Sequence, residues 1–261
     1  VIDCRFSLAD VKKGEREYLT AHIPGAVYAH LGRDLSASLT GTNGRHPLPT
    51  PEFLAARFSQ WGIGTGVQVV AYDDESGQMA ARLWWIAKYL GHDEVAVLDE
   101  GFKAWLALRA CVRAGREERE PRHFALHVRP EMRLDVADVA RRSLARLGLL
   151  IDARAPERFR GEVEPLDSVA GHIPGALNHF WKTNLDGEGR FLTPAILHEK
   201  YETLLGRTPP GETVFYCGSG VTACHDLLAM EHAGLSGARL YPGSWSEWCS
   251  DAERPVERQN T

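Results

Sequence analysis

His22-Ile23-Pro24-Gly25-Ala26 occurs near the start of this chain and returns unchanged as His172-Ile173-Pro174-Gly175-Ala176. Upstream of each copy lies the same apolar-acidic pair, Ile2-Asp3 and Ile151-Asp152, at nearly the same separation. Downstream, Val69-Val70-Ala71-Tyr72 resembles Thr213-Val214-Phe215-Tyr216, and Leu98-Asp99-Glu100-Gly101 resembles Leu240-Tyr241-Pro242-Gly243. Matches in one order at an offset of about 145 residues mean two copies of one domain, not a short solenoid repeat. Within the first copy, Gln68–Tyr72 reads as a buried strand, Met79–Leu90 as an amphipathic helix and Val95–Leu98 as another strand. That alternation predicts an α/β fold in which each copy is a mainly parallel sheet with helices on both faces. Residues 1–113 are expected to form the first domain and 131–261 the second. Charged, proline-bearing residues 114–130 between them read as a linker whose Phe124–Val128 segment straps across the domains.

The second copy carries a feature that the first lacks. The apolar run Val214-Phe215-Tyr216 ends in Cys217, followed by Gly218-Ser219-Gly220-Val221-Thr222 and a helical pattern from Ala223 to Met230. A cysteine at the end of a strand, under backbone N–H groups at a helix N-terminus, sits where an anion is stabilised. For cysteine that anion is its own thiolate, so Cys217 is predicted to be a nucleophile. Gly218 and Gly220 permit the tight curl, and the amides of Gly218, Gly220, Val221 and Thr222 are the expected substrate-binding donors. A buried core cysteine is the bland alternative, since free cysteine is often buried. Tyr72-Asp73 stands in the first copy where Tyr216-Cys217 stands in the second.

Composition bounds the rest. At 261 residues with 44% hydrophobic and 25% charged residues, the chain has ample material for globular domains. A net charge of −5 with interspersed signs gives no footprint for nucleic acid or membrane, and no apolar run reaches the length of a membrane span. Five cysteines, Cys4, Cys111, Cys217, Cys224 and Cys249, are few and odd in number. They disfavour a disulfide scaffold, suit a reducing cytoplasm and show no zinc spacing, so neither metal nor cofactor is expected. Cys224 and Cys249 are expected to be structural, as are His22 and His172, which read as turn residues bonded to backbone. Trp84, Trp85, Trp105, Trp245 and Trp248 read as core and interface residues.

These motifs resemble those of tandem-domain rhodanese sulfurtransferases. Tyr18-x-x-x-His22-Ile23-Pro24-Gly25-Ala26 is similar to that family's N-terminal signature, with Ala29 where a larger aliphatic is usual. Ala238-x-x-Tyr241-Pro242-Gly243-Ser244-Trp245-Ser246-Glu247-Trp248 matches its C-terminal signature. The resemblance spans essentially the whole chain and implies catalysis in the second domain alone, with no thiol chemistry at Asp73. It also implies a persulfide on Cys217, loaded by a small-molecule sulfur donor and discharged to cyanide, a thiol or a reduced thioredoxin. Two half-reactions through one covalent intermediate imply ping-pong kinetics.

The loop Cys217–Thr222 resembles that of 3-mercaptopyruvate sulfurtransferases, whereas thiosulfate-preferring enzymes place basic residues after the cysteine. Both donors therefore stay open, mercaptopyruvate first. The resemblance implies two arginines on the donor carboxylate. Arg158 matches the first, the second falls at Leu166, and Arg160 is the nearby candidate to compensate. It also implies a Ser–His–Asp relay, in which Ser219 matches the serine, His46 aligns with the histidine, and Asp34 fits only with a shift of register. Rival classes are a cysteine phosphatase, which needs arginine six residues after the cysteine where this chain has Ala223, and a non-catalytic binding or sensor module. A dinucleotide site lacks its Gly-x-Gly-x-x-Gly.

Overall fold

A computed structural model describes residues 1–74 and 76–258. Eight strands divide into two sheets of four. In the first, β1 (Ile2–Asp3), β2 (Val27–Tyr28), β3 (Val69–Tyr72) and β4 (Val95–Val97) run in the order β2-β1-β3-β4. In the second, β5 (Leu149–Asp152), β6 (Leu177–Asn178), β7 (Thr213–Tyr216) and β8 (Arg239–Leu240) run β6-β5-β7-β8. Every pairing is parallel, and the registers correspond: Ile2 faces Val27 and Ala71, while Ile151 faces Leu177 and Phe215. Parallel neighbours require crossover helices. Accordingly, α4 (Ala80–Tyr89) packs on β3 and β4, and α9 (Ala223–His232) on β7 and β8.

The duplication persists at atomic detail. Asp3 is bound by Arg5 and Asp152 by Arg154, each through an Nη2 contact of 2.6 Å between buried side chains. The two repeated pentapeptides form equivalent turns with Gly25 and Gly175 both at φ +79°. The Tyr72 hydroxyl accepts from Ile23 N and the Tyr216 hydroxyl from Ile173 N. His22 and His172 are buried, and their Nδ1 atoms bond the carbonyls of Tyr18 and Phe159.

Two structural details differ from the sequence reading. α4 is covered on nearly every face, including a fully buried Arg82, so it is an interior helix where an amphipathic one was expected. The compact units also divide the chain differently. The first comprises residues 1–37, 48–129 and 187–190; the second comprises 38–47, 130–186 and 191–261. Residues 114–129, expected as linker, pack on the first unit because their backbone is bonded to it. Gly115 N donates to Leu19 O, Arg122 N to Ser59 O and His127 N to Leu90 O, and Phe124 is buried against Phe58. Segment 38–47, inside the first copy by sequence, is part of the second unit.

In the first unit, the loop after β3 holds a carboxylate. Asp73 Oδ1 accepts from Gly77 N (2.9 Å), and Oδ2 from Met79 N (2.7 Å) and Ala80 N (3.2 Å). A side-chain anion therefore fills the amide cluster at the start of α4. Asp73→Ala is expected to lower stability by about 1–3 kcal/mol, because these amides lose a charged acceptor. Turnover per folded molecule in the sulfur-transfer assay that the family resemblance implies should stay within twofold of wild type. Denaturant titration beside steady-state kinetics checks this, and a loss of turnover comparable to that of a Cys217 variant would refute the inertness of this copy.

Candidate active site

The second unit is built on a core of Val139, Leu150, Phe159, Ile173, Val214, Tyr216, Tyr241, Trp245 and Trp248. β7 is buried along its whole length and delivers Cys217 at its C-terminal end, the ligand-binding end of a parallel sheet. Cys217 is 2% exposed. Its backbone is pinned from α10 (Ser244–Trp248): Cys217 N donates to Ser244 Oγ (3.1 Å), and Trp245 N donates to Cys217 O (3.0 Å). Ser246 N holds the next carbonyl, Gly218 O, at 3.0 Å. α10 is itself anchored by the indoles of Trp245 and Trp248, which donate to Val169 O and Pro255 O.

Gly220 turns the loop into α9 at φ +73°, a conformation costly for residues with a Cβ. A methyl group there would lie 2.3 Å from Pro242 O. Val221 O and Thr222 O accept from Cys224 N and His225 N, which starts the helix. Among the described residues, the amides of Gly218, Ser219, Val221 and Thr222 donate to no protein acceptor. This is the counterpart of the cluster that Asp73 fills in the first unit.

Ser219, two residues beyond the cysteine, is buried, and its Oγ lies 2.8 Å from Nδ1 of His46, also buried. His46 arrives on the 38–47 segment, which is fastened to α10. Arg45 N donates to Ser246 Oγ, Ser250 Oγ donates to Thr42 O, and Gly44 fits against Gly243 O with no room for a side chain. Asp34, in the first unit, is taken up otherwise. Its Oδ2 accepts from His30 N at 2.8 Å, and its carboxylate pairs with Arg33 and Arg57.

Arg158, at the end of α7 (Pro156–Arg160), reaches the loop. A methyl group at Gly218 would lie 3.5 Å from both of its Nη atoms. The guanidinium is held by Glu164 (Nη2–Oε1 2.6 Å) and Asp167 (3.4 Å). Glu164 is shared with Arg154 at 3.1 Å, and Asp167 with Arg45. Burial opposes the charge on Arg154, yet Asp152 holds its guanidinium above the ordinary range. Leu166 is exposed, and Arg160 pairs with Glu162 at the surface, so neither faces the loop's ion-pair chain. Arg45, Glu164 and Asp167 were not singled out by sequence reasoning. The sequence offered only their position beside His46 and Arg158.

The other thiols sit elsewhere. Cys4 is pushed well up by burial and then by Asp3 and Asp73, and Cys249 is raised by burial and then by Asp167. Cys224, fully buried, donates its thiol to Gly220 O at 3.3 Å and so braces the loop. Behind α9, Asp226 is buried with Asn184 (2.6 Å), His179 (3.3 Å) and Tyr201 (3.3 Å), and burial raises its carboxyl against those contacts. No group of three or more His, Cys, Asp or Glu able to hold a metal occurs among the described residues, and no described helix is long and apolar enough to cross a membrane.

Comparison with known proteins adds an independent line. The rhodanese-like domain matches residues 1–108 and again 136–251. A probable 3-mercaptopyruvate sulfurtransferase of Pseudomonas aeruginosa is 49% identical over 98% of this chain and 91% of its own length. A putative thiosulfate sulfurtransferase, SseB, of Mycobacterium tuberculosis is 39% identical over 99% of this chain and 90% of its own. Among solved structures, the 3-mercaptopyruvate sulfurtransferase of Leishmania major superposes with a TM-score of 0.86 at 31% identity, covering 98% of this chain and 71% of that one.

Proposed function

Since this chain belongs to the rhodanese family and is a sulfurtransferase, we propose that Cys217 carries sulfane sulfur from 3-mercaptopyruvate to a thiol acceptor. The Cys217 thiolate attacks the donor's sulfur. An Sγ–S bond forms, the S–C3 bond breaks, and the electron pair leaves on carbon as the enolate of pyruvate. That carbon takes up a proton equivalent to the one the donor thiol gives up, so pyruvate and an enzyme persulfide result. An acceptor nucleophile then attacks the outer sulfur and returns Cys217 as thiolate. The open amides of the loop stabilise each anion in turn, as an oxyanion hole does.

One observation carries the choice of donor: the 2.8 Å contact between Ser219 Oγ and His46 Nδ1, two residues from the nucleophile. Expulsion of a carbanion needs a proton delivered, and a hydroxyl–imidazole pair is suited to moving one. Thiosulfate would release sulfite, a stable anion that needs no such relay. Arg158 over Gly218 supplies a cation for the donor carboxylate. The free cysteines suit a reducing compartment, so a cytoplasmic thiol or reduced thioredoxin is the proposed acceptor, with cyanide as the assay substitute.

Initial rates with 3-mercaptopyruvate and with thiosulfate, using cyanide as common acceptor, test this reading. Mercaptopyruvate is expected to be the faster donor. Ser219→Ala and His46→Ala should each lower its kcat by roughly 10²-fold while changing the thiosulfate rate less than tenfold. A thiosulfate rate well above the mercaptopyruvate rate would reverse the donor assignment.

A further inference from the structure

A cavity of about 900 Å³ opens on the free edge of the first sheet and lies wholly within the first unit. That volume falls within the range of ligand pockets, roughly 300–1,000 Å³. One side of it is β2, the edge strand, and its lining includes Tyr18 and Trp61. Val27 N and Ala29 N donate inward to Val1 O and Asp3 O. Because these groups alternate along a strand, the N–H and C=O of Tyr28 point away from β1, and Tyr28 lines the cavity. Residues 116–121 pass along the same cavity, yet among the described residues no backbone bond joins them to Val27 or Tyr28. Their anchors lie elsewhere: Glu117 N donates to the Tyr18 hydroxyl, and the next residue along, Arg122, donates its N–H to Ser59 O. An open N–H and C=O pair on a walled sheet edge is a template for one more strand.

The two ends of the cavity differ in charge. Past the C-terminal end of β2, Asp34 is buried and accepts from His30 N. There the guanidiniums of Arg33, Arg57 and Arg116 share two carboxylates, those of Asp34 and Glu15, which leaves one positive charge in surplus. Arg57 spends Nε on Asp34 and Nη1 on Gln60, and its Nη2 has no acceptor among the described residues. At the other end, near Gly25, Glu117 is matched by Arg113, while Glu118 and Glu120 line the cavity beside a single further cation, Arg119, which is bonded to Gly25 O. That end carries one negative charge in surplus.

We infer that this cavity binds a short peptide with free termini, added as a fifth strand beside β2, its carboxylate on Arg57 and Arg33 and its ammonium toward Glu118 and Glu120. The charges set the direction. An amino end near Gly25 and a carboxyl end near His30 give the peptide the sense of β2, and every pairing in this sheet is parallel. At about 3.3 Å per residue, the run from Gly25 to His30 matches about four or five residues of extended chain. The site belongs to the copy without the thiol and does not depend on the donor assignment.

Nuclear magnetic resonance of the full chain, labelled with nitrogen-15 at tyrosine, tests this with tetra-alanine as the probe. The backbone signal of Tyr28, identified as the one missing from a Tyr28→Phe variant, is expected to shift saturably at millimolar peptide. Amidating the peptide's C-terminus should weaken binding by about tenfold, because a charge-assisted partner of arginine is lost. Arg57→Gln should weaken the free peptide by the same factor and leave the amidated one unchanged. The comparison of free and amidated peptide on the wild-type protein carries the test alone if the Arg57→Gln protein melts early. No saturable shift of Tyr28, or equal binding of the two peptides, would overturn the site. A Tyr28 shift produced equally by glycine would overturn the added strand and mark the cavity as one for a small zwitterion.

Discussion

Replacing Cys217 by serine is expected to leave the fold intact and to lower sulfur transfer from either donor by on the order of 10⁴-fold or more. The substitution exchanges one buried atom for a smaller one in a site already pinned through its backbone by Ser244 and Trp245, so packing changes little. Chemistry changes entirely. A serine hydroxyl is not ionised near neutrality and forms no disulfide-type bond, so no sulfur can be stored between half-reactions. Intact-mass and peptide-level mass spectrometry after donor treatment checks the point. The wild-type peptide bearing Cys217 should gain one sulfur and the variant none. A sulfur adduct on Cys224 or Cys249 of the wild-type protein, with none on Cys217, would move the nucleophile.

The second large effect is expected at Gly220. Alanine there must adopt φ +73° and place its methyl group 2.3 Å from the Pro242 carbonyl. The backbone term is about 1–2 kcal/mol and the overlap about 1–3 kcal/mol, together about 2–5 kcal/mol. For a chain of this size that lowers Tm by about 5–15 °C. The loop is expected to relieve the overlap by moving away from Pro242, which would disperse the amides proposed to serve the sulfur anion, so kcat should fall by about 10²-fold or more in the molecules that stay folded. Calorimetry and single-turnover persulfide formation measure the two parts separately. A variant with unchanged melting and normal turnover would show that the loop does not need its left-handed turn.

The contrast between what could and could not be read from residues has a physical pattern. The duplicated His-Ile-Pro-Gly-Ala turns, the strands ending at Tyr72 and Tyr216, and the loop after Cys217 were legible because each depends on neighbours in sequence: a period, a glycine, a strand end. The parallel sheets followed from that alternation. Arg45 was not legible, because its partners Asp167 and Gly218 are distant in sequence and an irregular segment carries no period that reveals its direction. Residues 114–129 misled for a related reason. Charge and proline suggested a loose connection, yet backbone bonds to Leu19, Ser59 and Leu90 tie them to the first unit. α4 misled through Arg82 and Lys88, whose charges imitate a wet face on a helix that is almost wholly interior. No arginine stands at Leu166, and its nearest basic neighbour in sequence, Arg160, is bound to Glu162.

The arm at residues 38–47 has a consequence for how this protein can be divided. A gene fragment beginning after residue 130 would encode the thiol, the loop and every strand of the second sheet, yet it would lack His46 and Arg45. Such a fragment keeps Cys217 and Ser219 but loses the imidazole that lies 2.8 Å from the Ser219 hydroxyl. A stretch numbered within the first copy is therefore built into the second unit, so cutting the chain at the boundary between the copies would not separate two whole units.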